Sequence, residues 1–237
     1  MTALLEVRGL HAGYAEGSVV RDLDLRVDAG EVVALLGANG AGKSTVMRTL
    51  AGELKPLAGE VLIKGDAAAG ALHERARRGL AYVSEERSVF MRLSTRQNIG
   101  VAGCEVGRVT ALFPELAPLL GRKAGLLSGG EQQMLTLGRA LTRDGVDLLL
   151  ADELSLGLAP RAVGRLLGAV RRAADDGMGV LLVEQHIHRV LEIADRVYVL
   201  GQGRVRYASS ADEARGRVDE IERHYFSHTT SNGGDPS

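Results

Sequence analysis

A glycine-rich segment that follows a run of apolar residues is the first place where residue types and spacing indicate chemistry. Residues 32–36 predict a short buried strand, and the next nine residues read G-A-N-G-A-G-K-S-T. This order fits the phosphate-binding pattern G-x-x-x-x-G-K-[ST] in a strand, loop, helix context. Glycines lack a Cβ, so the backbone N–H groups of such a loop can converge on phosphate oxygens. The segment therefore predicts a site for nucleotide phosphates.

Individual residues of this loop have distinct predicted roles. A helix predicted from about Gly42 to Leu50 points the positive end of its dipole at the same anion. The Lys43 ammonium can reach the β- and γ-phosphates, and the Ser44 hydroxyl can ligate Mg²⁺. Lysine occurs at only four positions of the chain, which disfavours a chance match at this spacing. The predicted phosphate-binding residues are Gly37, Ala38, Asn39, Gly40, Ala41, Gly42, Lys43, Ser44 and Thr45.

Composition excludes several classes of protein. The chain has 237 residues, 45% hydrophobic and 3% aromatic, which suits one large α/β domain or two small ones with a core of Ala, Val and Leu. A net charge of −1 argues against nucleic acid as the main partner. The single Cys104 excludes an internal disulfide. Neither a membrane-spanning apolar run nor a signal-peptide pattern is found, so we expect a soluble cytoplasmic protein.

The order of hydrophobic patterns predicts an α/β fold. Residues 3–10 and 18–27 alternate apolar and polar side chains, and another short strand is predicted at 58–63, which favours antiparallel strands there. Further along, short apolar runs alternate with segments of helical spacing such as 160–175. This alternation favours a parallel sheet with helices on its faces. The apolar runs lie at 80–83, 146–151, 179–183 and 196–200.

Two segments fall outside this alternation. Residues 88–145 are largely helical in pattern and lie between two predicted strands, which favours a helical subdomain inserted in the sheet. From Ser227 onward the chain consists mainly of small polar residues, and we expect a disordered tail. The predicted organisation is one P-loop domain over 1–226 with its helical subdomain at about 88–145, followed by a tail at 227–237.

A second glycine-rich helix start lies at residues 127–133, which read L-S-G-G-E-Q-Q. Ser128 and Glu131 have the spacing of a capping box. Capping does not explain two consecutive glycines, each of which costs up to about 1 kcal/mol relative to alanine in a helix. A helix start with accessible N–H groups is an anion site. Together with the first loop, this motif resembles the signature L-S-G-G-[QE]-Q of the ABC transporter ATPase family, over residues 3–226.

The resemblance implies a composite ATP site. In that family the signature motif binds the γ-phosphate of ATP held by a partner subunit, so the loop at 37–45 would be half of a site. The implied fold is a P-loop α/β core with an N-terminal antiparallel β subdomain and an inserted helical subdomain. The implied ligands are ATP and Mg²⁺, and two such domains would close head to tail. The signature residues implied to bind ATP are Ser128, Gly129, Gly130 and Glu131.

Two adjacent carboxylates follow an apolar strand, since residues 147–153 read D-L-L-L-A-D-E. Phosphoryl transfer needs a metal near the β- and γ-phosphates and a group that orients the attacking water. Asp152 fits the Mg²⁺ role through water, and Glu153 fits the role of general base or water-positioning group. Solvation of a loop is the alternative explanation of such acids. The family usually has proline after this glutamate, whereas Leu154 stands here, which leaves the rigidity of the turn open.

Three further site residues rest on the resemblance alone. Tyr14 holds the position of the aromatic residue that stacks on adenine. Glu85 occupies the place of the usual glutamine near Mg²⁺, and Gln185 that of the usual switch histidine. An amide at this position can hydrogen-bond the γ-phosphate, but it carries no proton at neutral pH. The predicted catalytic residues are thus Lys43, Glu153 and Gln185, and the predicted metal ligands are Ser44, Glu85 and Asp152.

Residues 155–160 read S-L-G-L-A-P, which resembles the ATPases of branched-chain amino-acid importers. The implied partners are a sister ATPase, separate permease subunits and, indirectly, an extracytoplasmic binding protein, with this chain on the inner face of the membrane. Val89 and Phe90 fit either docking of a permease helix or packing onto the helical subdomain. The alternatives to an amino-acid importer ATPase are the ATPase of a urea or short-amide importer, a soluble non-transport ABC protein, and a regulatory subunit without turnover.

Overall fold

The chain begins with successive β-strands, and further along strands alternate with helices. The computed structural model describes residues 3–15, 17–86, 88–184, 187–218 and 221, so the predicted tail at 227–237 lies outside it. The strands are β1 Ala3–Tyr14, β2 Gly17–Asp28, β3 Val32–Leu36, β4 Ala58–Ile63, β5 Asp66–Ala67, β6 Leu80–Val83, β7 Leu148–Asp152, β8 Gly179–Val183, β9 Arg196–Gly201 and β10 Arg204–Ser210. The helices are α1 Lys43–Ala51, α2 Leu72–Arg77, α3 Thr95–Val101, α4 Val106–Leu112, α5 Gly129–Thr142, α6 Pro160–Asp175, α7 Ile187–Leu191 and α8 Ala211–Arg215.

The N-terminal strands form an antiparallel sheet in the order β2-β1-β4-β5. The alternation seen in the sequence decides which face is buried, because Leu23 and Leu25 of β2 are buried whereas Asp22 and Asp24 are exposed. Successive side chains of a strand point to opposite faces, so one face packs on the core and the other meets water. The predicted antiparallel strands are confirmed, and β1 and β2 are longer than predicted.

The second sheet has the order β10-β9-β3-β8-β7-β6, with parallel pairing except between β9 and β10. β3, β7 and β8 are buried along their whole length, as expected for strands covered on both faces. The predicted parallel sheet is confirmed. Sequence patterns missed β10, because it contains no apolar run and exposes every second residue.

Apolar side chains fill both faces of the parallel sheet. One core lies between the two sheets and includes Met47 and Leu50 of α1. The other lies against α5, α6 and the segment 88–145, where Phe113 is fully buried. Because α1 packs inside the first core, the loop that precedes it is held at the end of β3.

The segment 88–145 contains α3, α4 and α5, together with 3₁₀ turns at Pro114–Leu119 and Ala124–Leu126. α4 packs closely on α5, where a Cβ added at Gly138 would lie 3.0 Å from Val109. The helical character predicted for this segment is present. Within the described ranges, no helix is long and apolar enough to cross a bilayer.

The carboxyl ends of β3, β6, β7 and β8 meet at one edge of the parallel sheet. The chain continues from these ends into Gly37, Glu85, Glu153 and Glu184. In open α/β sheets, ligands bind outside the carboxyl ends of the strands. The topology therefore brings together residues that are far apart in the sequence.

Arg75 of α2 caps the C-terminus of α1. Its side chain is 3% exposed, and Nη1 donates to the carbonyl oxygens of Thr49 at 2.8 Å and Leu50 at 2.7 Å. The last carbonyls of a helix lack partners within it, and the negative end of the dipole attracts cations. Arg75 thus stabilises the helix that follows the glycine-rich loop.

We predict that Arg75→Ala lowers the free energy of unfolding by about 2–4 kcal/mol, because it removes two charged hydrogen bonds and leaves a cavity. Urea unfolding measures the change. Arg77→Ala, an exposed site on the same helix, is the matched control and should change stability by less than about 0.5 kcal/mol. Equal effects of both variants would contradict the capping role.

Candidate functional site

A cleft of about 670 Å³ lies at the carboxyl edge of the parallel sheet. It collects residues from β1, the glycine-rich loop, α1 and the ends of β6 and β7. The predicted site residues that line it are Tyr14, Asn39, Gly40, Gly42, Lys43, Ser44, Thr45, Glu85 and Glu153. Gln185, the third predicted catalytic residue, lies outside the described residues.

Two glycines of the loop are required by backbone geometry. Gly37 has a φ of 153° and Gly42 a φ of 107°, and both values are ones that residues with a Cβ rarely adopt. A Cβ at Gly37 would also lie 2.4 Å from the carbonyl oxygen of Leu200 in β9. The conformation that presents the loop's N–H groups is therefore available only to glycine at these two positions.

The N-terminus of α1 is open to an anion. Its cap residue Gly42 supplies no side-chain hydrogen bond, and no acidic residue stands in the first turn. By contrast, α3 and α5 are capped by the hydroxyls of Ser94 and Ser128. The first N–H groups of a helix have no partner within it, so those of α1 are free to bind phosphate oxygens.

Lys43 is folded back onto its own loop. The side chain is 4% exposed, and Nζ donates to the carbonyl oxygens of Gly37 at 2.7 Å and Ala38 at 3.1 Å. Burial lowers the pKa of Lys43, whereas the carboxylates of Glu153 and Asp152 act in the opposite direction. The ammonium is thus held at the mouth of the phosphate loop and opposes the nearby acids.

Asp152 carries a buried charge that the described residues do not fully compensate. It is 3% exposed, and its Oδ1 has no hydrogen-bond partner among them. Burial raises the pKa of Asp152 to about 6, and the charges of Glu153 and Glu85 add to the rise while Lys43 opposes it. An unpaired carboxylate in such surroundings is costly unless a cation approaches it.

The donor set fits a Mg²⁺ ion. In the part of the chain that the structure describes, no three His, Cys, Asp or Glu side chains are grouped to hold a metal by themselves. Mg²⁺ usually binds through one or two carboxylates together with substrate phosphates and waters. The unpartnered oxygen of Asp152, with the Ser44 hydroxyl and Glu85 on the cleft wall, matches that preference.

Glu153 stands at the junction of β7 and the cleft. Its φ is 50°, which is uncommon for a residue other than glycine. The backbone N–H donates to the carbonyl oxygen of Val183 in β8 at 2.9 Å, which helps to hold this conformation. Strained backbone of this kind concentrates at functional sites. The role of Glu153 with the attacking water remains a prediction.

Tyr14 forms part of the cleft wall and is 45% exposed. Hydrogen bonds from Arg48 and Thr45 lower the pKa of the Tyr14 hydroxyl. Arg48 and Thr45 both belong to α1, and nearly half of the Tyr14 side chain faces solvent. This arrangement is compatible with the predicted stacking on adenine.

The start of α5 has the predicted capping box. The Ser128 hydroxyl accepts from the backbone N–H of Glu131 at 3.4 Å, and the Glu131 carboxylate accepts from that of Ser128 at 2.7 Å. A Cβ at Gly130 would lie 3.3 Å from that of Ala162 in α6, so packing within the chain explains part of the glycine requirement. The described lining of the 670 Å³ cleft includes no residue from 128–131.

The sequence profile of the family described as "ABC transporter" matches residues 20–155. The chain belongs to the ABC transporter family. Its fold agrees, because the structure of an ATP-binding subunit of an ABC transporter superposes with a TM-score of 0.82 at 30% identity, over 92% of this chain and 98% of that one. ABC ATP-binding cassettes hydrolyse ATP, so this chain is an ATPase of that family.

Curated relatives within the ABC family span most of this chain. The branched-chain amino acid transport ATP-binding protein BraG of Pseudomonas aeruginosa is 39% identical, over 81% of this chain and 86% of its own. A probable branched-chain amino acid transport protein, LivF of Archaeoglobus fulgidus, is 34% identical, over 89% and 93%. The lipopolysaccharide export ATP-binding protein LptB of Acidithiobacillus ferridurans is 36% identical, over 90% and 92%.

One hydrogen-bonded pair at the carboxyl edge was missed by the sequence patterns. The Glu184 carboxylate, 1% exposed at the end of β8, accepts from the backbone N–H of Ser155 at 2.9 Å. The only sequence signal is an acidic residue directly after a fully apolar strand, which is the signal that also marks Asp152 and Glu153.

We predict that Asp152→Asn raises the free energy of unfolding of the metal-free protein at neutral pH. The pKa rises from 3.8 to about 6 on folding, so the folded state binds the proton more tightly. Stability of the unmodified protein should therefore fall by about 3 kcal/mol as pH rises from about 4 to about 6, since one pKa unit is about 1.4 kcal/mol. The Asp152→Asn variant should not show this fall in stability, because its amide does not ionise.

Urea unfolding in the presence of a chelator, at pH values from about 4 to 8, measures the difference. Glu60→Gln, an exposed carboxylate on β4, corrects for the loss of one surface charge. If the free energies of unfolding of the Asp152→Asn variant and the unmodified protein differed by the same amount at every pH, the proposed cost of the buried Asp152 charge would be contradicted.

Proposed function

We propose that this ABC ATPase powers an importer for branched-chain or related amino acids. The observation that carries the proposal is the similarity to BraG at 39% identity, supported by LivF. The stretch S-L-G-L-A-P at 155–160 supports the same subgroup. In this proposal the chain works from the inner face of the membrane, bound to separate permease subunits.

Lipopolysaccharide export is the second candidate, because LptB is 36% identical over 90% of this chain. That identity lies between those of BraG and LivF, so overall similarity alone does not choose the cargo. The permease subunits and the binding protein select what is transported. The cargo therefore has to be tested with those partners present.

In the proposed ATP cycle two ATPase subunits close head to tail, and the partner is a non-identical sister. The loop at 37–45 holds the phosphates of one ATP, and residues 128–130 of the opposing subunit complete the site at the γ-phosphate. Mg²⁺, held by Ser44, Asp152 and Glu85, would neutralise phosphate charge as it develops. Glu153 orients the attacking water and accepts its proton, while Lys43 stabilises the γ-phosphoryl oxygens.

The proposed permease contact lies on the segment after Glu85. Phe90 and Met91 are neighbours in the chain and are 52% and 50% exposed, and contiguous exposed apolar side chains mark interaction sites. The fully buried Asn98 holds this segment, since its Oδ1 accepts from the Phe90 N–H at 2.8 Å and its amide donates to the Phe90 carbonyl at 3.0 Å. A rigid backbone with exposed apolar side chains suits the docking of a permease helix.

We predict that Glu153→Gln lowers the rate of ATP hydrolysis by at least about 100-fold, because the amide cannot accept the proton. ATP binding should change by less than about twofold, since the phosphate loop is intact. Measurement of both quantities on the full chain separates binding from chemistry. Lys43→Ala is the control, and it should lose ATP binding. Equal and negligible hydrolysis by the unmodified protein and Glu153→Gln would favour a regulatory subunit without turnover.

The cargo is tested with permease subunits co-purified from the native host and reconstituted with this chain in proteoliposomes. We expect ATP hydrolysis and uptake to be stimulated by a binding protein loaded with leucine, isoleucine or valine. The Lys43→Ala variant should abolish both, because ATP no longer binds. Stimulation by urea in place of the amino acids, or extraction of lipopolysaccharide without uptake, would overturn the proposal.

A further inference from the structure

A buried carboxylate stands next to the proposed catalytic turn and has no role in the ATP cycle described above. Glu184 is 1% exposed and follows the last residue of β8. The pairing of β7 with β8 ends one step earlier, at Asp152 and Val183. A carboxylate withdrawn from water is costly unless hydrogen bonds satisfy its oxygens, so its contacts are informative.

Both oxygens of Glu184 accept hydrogen bonds from the same residue. Oε1 accepts from the backbone N–H of Ser155 at 2.9 Å, and Oε2 accepts from the Ser155 hydroxyl. Ser155 is itself 5% exposed. Such charge-assisted bonds are stronger and more directional than neutral ones. The hydrogen bonds between Glu184 and Ser155 therefore fix the position of Ser155, which lies two residues after Glu153.

The turn between β7 and Ser155 is tied to β8 at two successive points. The N–H of Glu153 donates to the carbonyl oxygen of Val183 at 2.9 Å, and that of Ser155 donates to Glu184. Leu154 between them is 1% exposed and anchors the turn in the core. These contacts continue the link between the two strands beyond the end of the sheet.

The sequence left open whether the turn after Glu153 is rigid, because Leu154 replaces the usual proline. These contacts make the turn rigid. A proline at position 154 would restrict the preceding residue to extended backbone. Glu153 instead has a φ of 50°, a conformation outside that range. Leu154 permits this conformation, and the hydrogen bonds to Val183 and Glu184 hold it.

We propose that Glu184 is a positioning residue for ATP hydrolysis: its carboxylate clamps Ser155 and thereby fixes the backbone that aims Glu153 into the cleft. It acts through Ser155 and does not touch the nucleotide. The proposal rests on the proposed role of Glu153, which the Glu153→Gln variant tests separately. Misplacement of a catalytic group by about 1 Å can lower a rate by about 100-fold.

The test compares Glu184→Ala, Glu184→Gln and Ser155→Ala in the full chain. Hydrolysis at saturating ATP should fall at least about tenfold in Glu184→Ala, while ATP affinity changes by less than about twofold. Glu184→Gln should retain at least about a third of the rate, because its amide oxygen can accept from the Ser155 N–H and its NH₂ group can donate to the hydroxyl. The double variant Ser155→Ala/Glu184→Ala should be no slower than Glu184→Ala alone.

Glu31→Ala is the matched control. Glu31 is another buried carboxylate at the opposite edge of the same sheet, where it accepts from the Asp28 N–H at 2.8 Å and pairs with Arg196 at 2.6 Å. Its replacement should lower the urea midpoint but leave the hydrolysis rate of the folded protein unchanged.

Three results would overturn the proposal. The first is an unchanged hydrolysis rate in Glu184→Ala, and the second is additive effects of the Glu184 and Ser155 substitutions. The third is an equal loss of rate in Glu31→Ala. If Glu184→Ala does not fold, Glu184→Leu decides, because it also removes both acceptor oxygens but fills the buried space, and an unchanged rate in that variant also overturns the proposal. If Glu153→Gln hydrolysed ATP at the full rate, the proposed catalytic role of Glu153 would be wrong instead.

Discussion

An excess of negative charge around the buried Asp152, at one edge of the parallel sheet, is the constraint on which this site depends. Asp152 is almost inaccessible to water, and the charges of Glu153 and Glu85 act on it, while Lys43 is the cation that opposes them. Charges of one sign are costly in such an environment. A site of this kind is incomplete without a further cation beside Asp152, and the proposed Mg²⁺ would supply that positive charge.

The backbone around the site resists the repulsion between these carboxylates. β3, β7 and β8 are buried along their whole length, so the strand ends that carry Gly37, Asp152 and Glu184 are held by the core. α1 packs between the two sheets and is capped by Arg75 from a separate helix. The stability of the sheets therefore offsets the unfavourable electrostatics and the strained backbone at Glu153.

Local patterns predicted the elements that depend on neighbours in the sequence. The glycine-rich loop, the capping box of Ser128 and Glu131 and the helix at 160–175 all follow from spacing over a few residues, and the structure contains each of them. β10 was missed because edge strands need little apolar content. Gly130 shows a limit of reasoning from local patterns. The sequence analysis attributed the two consecutive glycines to a bound anion, but close packing against Ala162 explains part of the requirement for glycine.

The sequence by itself determined the ligand class and the family, and it predicted which residues surround the phosphates, because all of these follow from motifs whose members are contiguous. Only the tertiary structure decided how the turn that carries Glu153 is held. Ser155 and Glu184 are separated by 29 positions, and Arg75 by 26 from Thr49, which it caps. Such pairs form only when parallel strands bring their carboxyl ends together or helices pack side by side. No local pattern of residues encodes these distances.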